Sequence, residues 1–416
     1  MQTSPLRALA HYKVLPSIAS GRAMALAVAA RATYAMVPLG VMTAFTASTG
    51  SVATGGLATG VVALSTAVAS PLIGRWADRR GQRFVLTLLT PLNGLFLLLL
   101  LAAALLRWDG PALWLSCLVA GLTCIPIGSF TRARWVGAAT DPRDLSTAFS
   151  YESTVDELVF VLGPALVGIA ASAAMPAAPL ALAAGLLLFA GIPFALTAPA
   201  TIDDASFAAG PTASVRPSIA KVLWAVAGAI VVMTAIGAFF GSVQAAVTQR
   251  SELFGVPGQG GLVYALMGLG SGLTALLVVM VPESVKLPTR TLVGGLGMAV
   301  FIAVAAAQGG VPLLAASLFA AGLFIGPTMV TAFTLAESRS PYGGTGVAMT
   351  AMQSSVTVGV SLGAAVGGAL SASQTGLGAF GMSIAAGLVV AAAAVAMGRR
   401  SRRTPADVGE LDTLSR

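Results

Sequence analysis

The chain is 416 residues long, 56% hydrophobic and only 9% charged, with a mean hydropathy of +0.89. Soluble domains carry about 25% charged residues, so this balance excludes an ordinary soluble enzyme, a disordered chain and a conventional nucleic-acid binder. Two cysteines and one histidine exclude a disulfide scaffold and a metal centre built on His or Cys. No metal or cofactor is expected. The net charge of +8 comes from small basic clusters set between apolar runs, which is a pattern of membrane topology.

A transmembrane helix needs about 20 mostly apolar residues. Twelve such runs occur in chain order. The first six lie at roughly 20–45, 52–74, 84–106, 112–136, 146–172 and 177–198. The second six lie at roughly 219–247, 258–281, 290–307, 312–336, 345–371 and 375–398. Lipid offers no hydrogen-bond partners, so runs of this length are expected as helices. The fold class is an all-α polytopic membrane protein, surrounded by the lipid bilayer and without a large domain outside it. The first apolar run is too long for a signal-peptide core, so no cleavable leader is expected.

Orientation follows from the bases. With the N-terminus inside, twenty of the 23 Lys and Arg residues fall on or near the inner side. Only Arg107 and Arg250 fall outside, and Arg31 lies deep in the first span. Both termini are therefore expected in the cytoplasm. Arg132 and Arg134 sit near the inner end of the fourth span, where this rule accounts for them.

Residues 199–217 form the longest polar interruption and are rich in Pro, Ala, Ser and Gly. They read as a flexible linker between an N-terminal six-helix half (1–198) and a C-terminal one (218–398), with a basic tail at 399–416. The halves resemble each other at an offset near 200. Ala120-Gly121-Leu122 before Pro126 matches Ala321-Gly322-Leu323 before Pro327, and Gly163 and Gly168 match Gly363 and Gly368. Repeated halves are common in secondary transporters, with the solute near the midplane. The eleventh span carries Gly359, Gly363 and Gly367, a stripe expected to pack between the halves.

The loop after the second span reads Gly74-Arg75-Trp76-Ala77-Asp78-Arg79-Arg80-Gly81-Gln82-Arg83. It resembles the loop signature of the major facilitator superfamily at Gly74, Ala77, Asp78, Arg79, Gly81 and Arg83, with Trp76 for the usual Leu and Gln82 for the usual base. The resemblance implies two pseudo-symmetric six-helix halves working by alternating access. It also implies that Asp78 latches the halves by facing the N-terminus of the eleventh span near Gly343, Gly344 and Thr345, where a partial positive charge favours an anion. In the fifth span, Gly163-Pro164-Ala165-Leu166-Val167-Gly168 is similar to the Gly-Pro motif of proton-coupled antiporters in that superfamily. It is one residue longer and ends in a single glycine. The implied protein is an antiporter of the drug and metabolite branch, acting as a monomer in a bacterial-type inner membrane and taking small-molecule substrates rather than nucleic acid.

Ionisable residues inside spans are costly and are functional candidates. Arg31 lies about 13 Å beyond Arg22 along the first span at about 1.5 Å per residue. Counting from Ser146 in the fifth span, Glu152 lies about 9 Å in and Asp156 about 15 Å. Glu152 and Asp156 share a face, and Glu157 is turned about 100° from it. Three acids against one base leave an excess of negative charge, which favours proton uptake by the set. Asp156, Glu152 and Glu157 with Arg31 are therefore the expected proton-coupling residues, and the proton is the expected coupling ion. A permanent ion pair locking the first span to the fifth is the alternative. Tyr34 and Tyr151 flank this set and are expected to line the substrate cavity. In the second half Phe239, Phe240, Gln244, Tyr264 and Gln353 are the expected cavity wall, suited to a neutral or lipophilic solute. The expected function is proton-coupled export of small organic or lipophilic compounds. The alternatives are transport of sugars or other polar metabolites, or a non-transporting scaffold or sensor.

Overall fold

The structure is a computed structural model, which describes residues 12–139, 141–198, 217–278, 284–341, 345–371 and 377–403. Most of the linker at 199–217, residues 404–416 of the tail, and Gly343 and Gly344 lie outside the described residues.

Among the described residues all regular structure is helical. A short entry segment, Tyr12–Val14 and Leu15–Ile18, leads into α1 (Gly21–Thr49), α2 (Val52–Arg80) and α3 (Gln82–Leu105). There follow α4 (Gly110–Leu122), α5 (Ile127–Ala138), α6 (Pro142–Ala173), α7 (Ala178–Leu186) and α8 (Ile192–Leu196). Next come α9 (Ile219–Ala225), α10 (Ala227–Leu253), α11 (Gly260–Leu277) and α12 (Leu287–Ala306). The chain closes with α13 (Val311–Arg339), α14 (Thr345–Leu370) and α15 (Leu377–Arg403). Eleven stretches of described helix are long and apolar enough to cross a membrane. The remaining expected span corresponds to α11, an 18-residue helix that adjoins undescribed residues.

The chain forms two compact units: Met1–Thr212 with Val247–Gly268, and Ala213–Ala246 with Leu269–Arg416. In the first unit, the fourth expected span is two helices rather than one. Pro126 supplies no backbone N–H and pushes Ile125 away from helical geometry, so the chain breaks between Leu122 and Ile127. The carbonyls this frees need partners, because lipid has none to give. Asn93 of α3 donates from Nδ2 to the Ala120 carbonyl and to Thr123 Oγ1, both at 2.9 Å. Thr66 of α2 donates to the Gly121 carbonyl at 3.2 Å. Asn93→Leu leaves the Ala120 carbonyl with only a longer 3.3 Å bond from Thr123 Oγ1, and is expected to cost about 0.5–1.5 kcal/mol, read as a lower unfolding midpoint of the purified protein. Pro327, the repeat counterpart of Pro126, sits inside the unbroken α13.

The sixth span has an irregularity of its own. Leu187–Gly191 winds as a π-helix between α7 and α8. It packs against α3, where a Cβ on Gly94 would stand 2.8 Å from Leu188 Cγ.

In the second unit α10 and α14 meet backbone to backbone. A Cβ on Gly237 would lie 2.9 Å from Gly359 Cα, and one on Gly367 would lie 2.9 Å from Ser242 Cα. Gly363 lies equally close to Ala238, with 2.7 Å from its Cβ position to Ala238 Cα. The glycine stripe read as packing between halves therefore seats on α10 inside its own unit. Small residues permit this approach wherever two helices cross closely, so spacing alone does not name the partner.

Candidate functional site

The deep charges gather in the first unit, where α1, α5 and α6 meet. Arg31 comes from α1, Thr131, Arg132 and Trp135 from α5, and Glu152 and Asp156 from α6. Thr131 and Trp135 are four residues apart, as are Glu152 and Asp156, so each pair presents one helix face. Gly128 opens room for the approach: a Cβ there would stand 3.3 Å from Arg31 Cζ and 3.2 Å from Arg132 Nη1.

Arg31 divides its guanidinium between the two acids. Nη2 donates to Glu152 Oε2 at 2.5 Å and to Thr131 Oγ1 at 2.5 Å. Nη1 donates to Asp156 Oδ1 at 2.9 Å. Glu152 also accepts from Thr131 Oγ1 at 2.7 Å and from Trp135 Nε1 at 2.8 Å. Asp156 accepts at its other oxygen, Oδ2, from Arg132 Nη2 at 2.5 Å.

The two acids sit in different surroundings. Arg31 and Glu152 are sealed, with side chains 5% and 2% exposed. Asp156 and Arg132 are 34% and 38% exposed. Glu152 is thus a buried carboxylate with three donors, the condition under which an interior charge is tolerated. Asp156 is a bridging carboxylate that stays partly exposed.

Arg132 corrects the charge count. Beside the expected base Arg31 the structure adds Arg132, so the described members, Arg31 and Arg132 against Glu152 and Asp156, carry no net charge. The side chain of Glu157 lies outside the described residues. Sequence reasoning assigned Arg132 to topology and passed over Thr131 and Trp135. A depth argument could have found Arg132: it lies six residues, about 9 Å, from the end of α5, which is the depth of Glu152. Arg134 turns elsewhere. It donates to Gln82 Oε1 at 3.1 Å and Thr197 Oγ1 at 2.9 Å, and stacks 4.0 Å over the Phe194 ring.

Beside the cluster is a cavity of about 30 Å³, lined by Met24, Val28, Arg31, Trp135, Tyr151 and Phe194 among others. That is room for about two water molecules, too little for an organic solute. The entry segment closes over it, with Leu15 buried against Trp135 and Ala148, and with Tyr151 at the margin.

The other expected site residues are distributed as follows. Tyr34 is half-buried on α1. Gly163 meets Ala35 of α1, with 2.6 Å from its Cβ position to that of Ala35. Pro164 is buried inside the continuous α6. Gly168 lies against α11, where a Cβ would come 2.8 Å from Leu262 Cγ and 3.0 Å from Gly261 C. Gly168→Leu is expected to force α6 and α11 apart and to cost about 1–3 kcal/mol, read as a lower thermal midpoint with the helix content unchanged. Tyr264 is buried on α11.

In the second unit Phe239 is fully buried and offers no surface to a solute. Gln244 is buried, Phe240 half-buried and Gln353 exposed. In the loop signature, Gly74 lies in α2 and Gly81 takes a φ of +87° between α2 and α3, where a side chain would be strained. Arg79 is exposed and Arg83 half-buried. The side chain of Asp78 lies outside the described residues, as does the proposed partner region at Gly343 and Gly344.

A family model described as Major Facilitator Superfamily matches residues 23–283. No curated protein sequence matches the chain. Several solved structures share its fold. The crystal structure of the nucleoside transporter NupG aligns with a TM-score of 0.70 at 14% identity, covering 90% of this chain and 98% of that one. An auto-inhibited POT family peptide transporter aligns with a TM-score of 0.65 at 15% identity, covering 92% and 96%. The human organic anion transporter MFSD10 (TETRAN) aligns with a TM-score of 0.57 at 15% identity, covering 92% and 99%.

Proposed function

The chain belongs to the major facilitator superfamily, and from that premise we propose that it is a proton-coupled secondary transporter that exports small organic compounds by alternating access. Its family makes it a multi-pass membrane transporter rather than an enzyme. The coupling reading rests on one observation: Asp156 bridges Arg31 and Arg132 from three different helices while remaining 34% exposed. Taking up a proton removes the charge that holds both guanidinium groups. That loosens α6 from α1 and α5 at one point, and a change of protonation becomes a change of helix contacts. Glu152, sealed with three donors, is the fixed anchor around which this happens.

The two six-helix halves at 1–198 and 218–398 are the bodies that would rock, with both termini in the cytoplasm of a bacterial-type inner membrane. Export is supported by the resemblance of the Gly163-Pro164 segment to the antiporter motif. Solutes of the similar structures include nucleosides, peptides and organic anions, so a panel must span neutral, cationic and anionic compounds.

The test is proton movement in liposomes holding the full chain and an internal pH-sensitive dye. At least one solute of the panel is expected to move protons in proportion to its own flux. Solute flux that leaves internal pH untouched, for every transported solute, would rule out proton coupling.

A further inference from the structure

Resting on the reading of Asp156 as the proton carrier, we propose that the Arg31–Asp156–Arg132 fork is a carboxylate-binding site that Asp156 itself fills when no substrate is bound. The substrate is then a small organic acid, carried as its carboxylate. Each Asp156 oxygen faces a different guanidinium group, with Oδ1 2.9 Å from Arg31 Nη1 and Oδ2 2.5 Å from Arg132 Nη2. Paired charge-assisted hydrogen bonds from Arg are the usual way in which proteins hold a free carboxylate. Arg31 keeps Nη2 for Glu152 and Thr131, so its Nη1 can exchange partners without disturbing the buried anchor. Among the described residues Arg132 makes one other bond, a long one of 3.4 Å to the Gly128 carbonyl. Exposure separates the two acids, with Asp156 at 34% and Glu152 at 2%.

Charge decides how the exchange occurs. Among the described residues the resting set pairs two Arg with two carboxylates and carries no net charge. A substrate carboxylate added to it leaves one uncompensated negative charge, which is costly where water is scarce. If Asp156 takes a proton from water as the anion enters, the set is neutral again: the substrate carboxylate replaces the Asp156 carboxylate between the same two guanidinium groups. Anion and proton therefore bind together and travel together. That is symport, and it departs from the exchange that the antiporter-like Gly163-Pro164 segment implies: an acid made in the cell would leave with its proton, down its own gradient.

No other described charge intrudes on Asp156. Among the elements packed on α6, Arg134 is engaged with Gln82 and Thr197. Arg22 lies about 13 Å along α1 from Arg31, and Lys13 is exposed on the entry segment. α7, α11 and the turn Pro257–Gln259 carry no charged residue, and Tyr264 is the titratable group on α11. On α6 itself Glu152 is one turn away and Asp144 three.

The probe is acetate, a small carboxylate, with acetamide as its neutral control. Thermal midpoints are measured on the purified full chain and on Asp156→Ala, which empties the fork. Asp156→Ser, which likewise leaves the fork without a carboxylate or amide, serves if the alanine variant does not fold. Acetate is expected to raise the midpoint of Asp156→Ala saturably at acid and neutral pH, and acetamide is not. In the parent protein acetate should stabilise more at acid than at neutral pH, because its binding takes up a proton. Acetate and acetamide acting alike in both proteins overturns the proposal. So does rescue of the variant by acetate with a parent that ignores it at every pH, because that is a fixed internal ion pair. If proton-coupled flux persists while acetate shows no such preference, the coupling reading stands and the substrate class alone is lost.

Discussion

Asp156→Asn is expected to abolish transport driven by an imposed pH gradient while leaving the fold in place. The amide keeps the size of the carboxylate and still presents an oxygen to Arg31 or Arg132, but it cannot gain or lose a proton. Arg31 stays anchored by Glu152 and Thr131. Arg132 is 38% exposed, so it is not sealed in with an unpaired charge. The stability cost is about 1–3 kcal/mol, small enough for the variant to be purified. Reconstituted in liposomes, it should give gradient-driven flux at the level of protein-free vesicles. Flux equal to the parent's would remove Asp156 from the coupling. Failure to assemble in the membrane would instead identify a structural ion pair.

The second large effect concerns stability. Arg31→Met strips Glu152 of its counter-charge at a position 2% exposed to solvent. Removing one partner of a buried pair costs about 3–5 kcal/mol, whereas replacing both with apolar residues is often near neutral. Arg31→Met should therefore lower the unfolding midpoint sharply, and Arg31→Met with Glu152→Met should recover much of the loss. In the double variant Asp156 keeps Arg132, while Trp135 Nε1 loses its acceptor and prevents complete recovery. A single variant as stable as the parent would show that Glu152 is not held as an ion.

These two variants separate what the sequence makes visible from what it hides. Hydropathy marks the spans because the energy of burying a long apolar helix in lipid is summed over about 20 residues. Arg31, Glu152 and Asp156 stand out because a charge in such a run has no topological reason to be there. Counting residues from the span edges brings them to similar depths. Arg132 escapes the same logic, because a base near the inner end of a span already has an explanation. Thr131 and Trp135 escape because neither carries charge. The break at Thr123–Pro126 was hidden too. Proline is tolerated inside membrane helices, as Pro38, Pro71 and Pro164 are here. What distinguishes Pro126 is the presence of Asn93 and Thr66 beside it, a fact of packing rather than of local pattern. Nothing in Leu187–Gly191 announces its wider winding.

The same break bears on how the chain is made. Thr66 and Asn93, which satisfy its loose carbonyls, precede it in the sequence. Both are already in the membrane when residues 110–138 leave the ribosome, so this discontinuous span finds its partners on arrival. Arg31 has the opposite history. Its acceptors lie 100, 121 and 125 residues downstream, and it must wait at the margin or in company until α5 and α6 follow. Nascent chains halted after α4 should therefore hold the first helix less firmly than chains halted after α6, a difference that stepwise glycosylation mapping of the nascent protein can read.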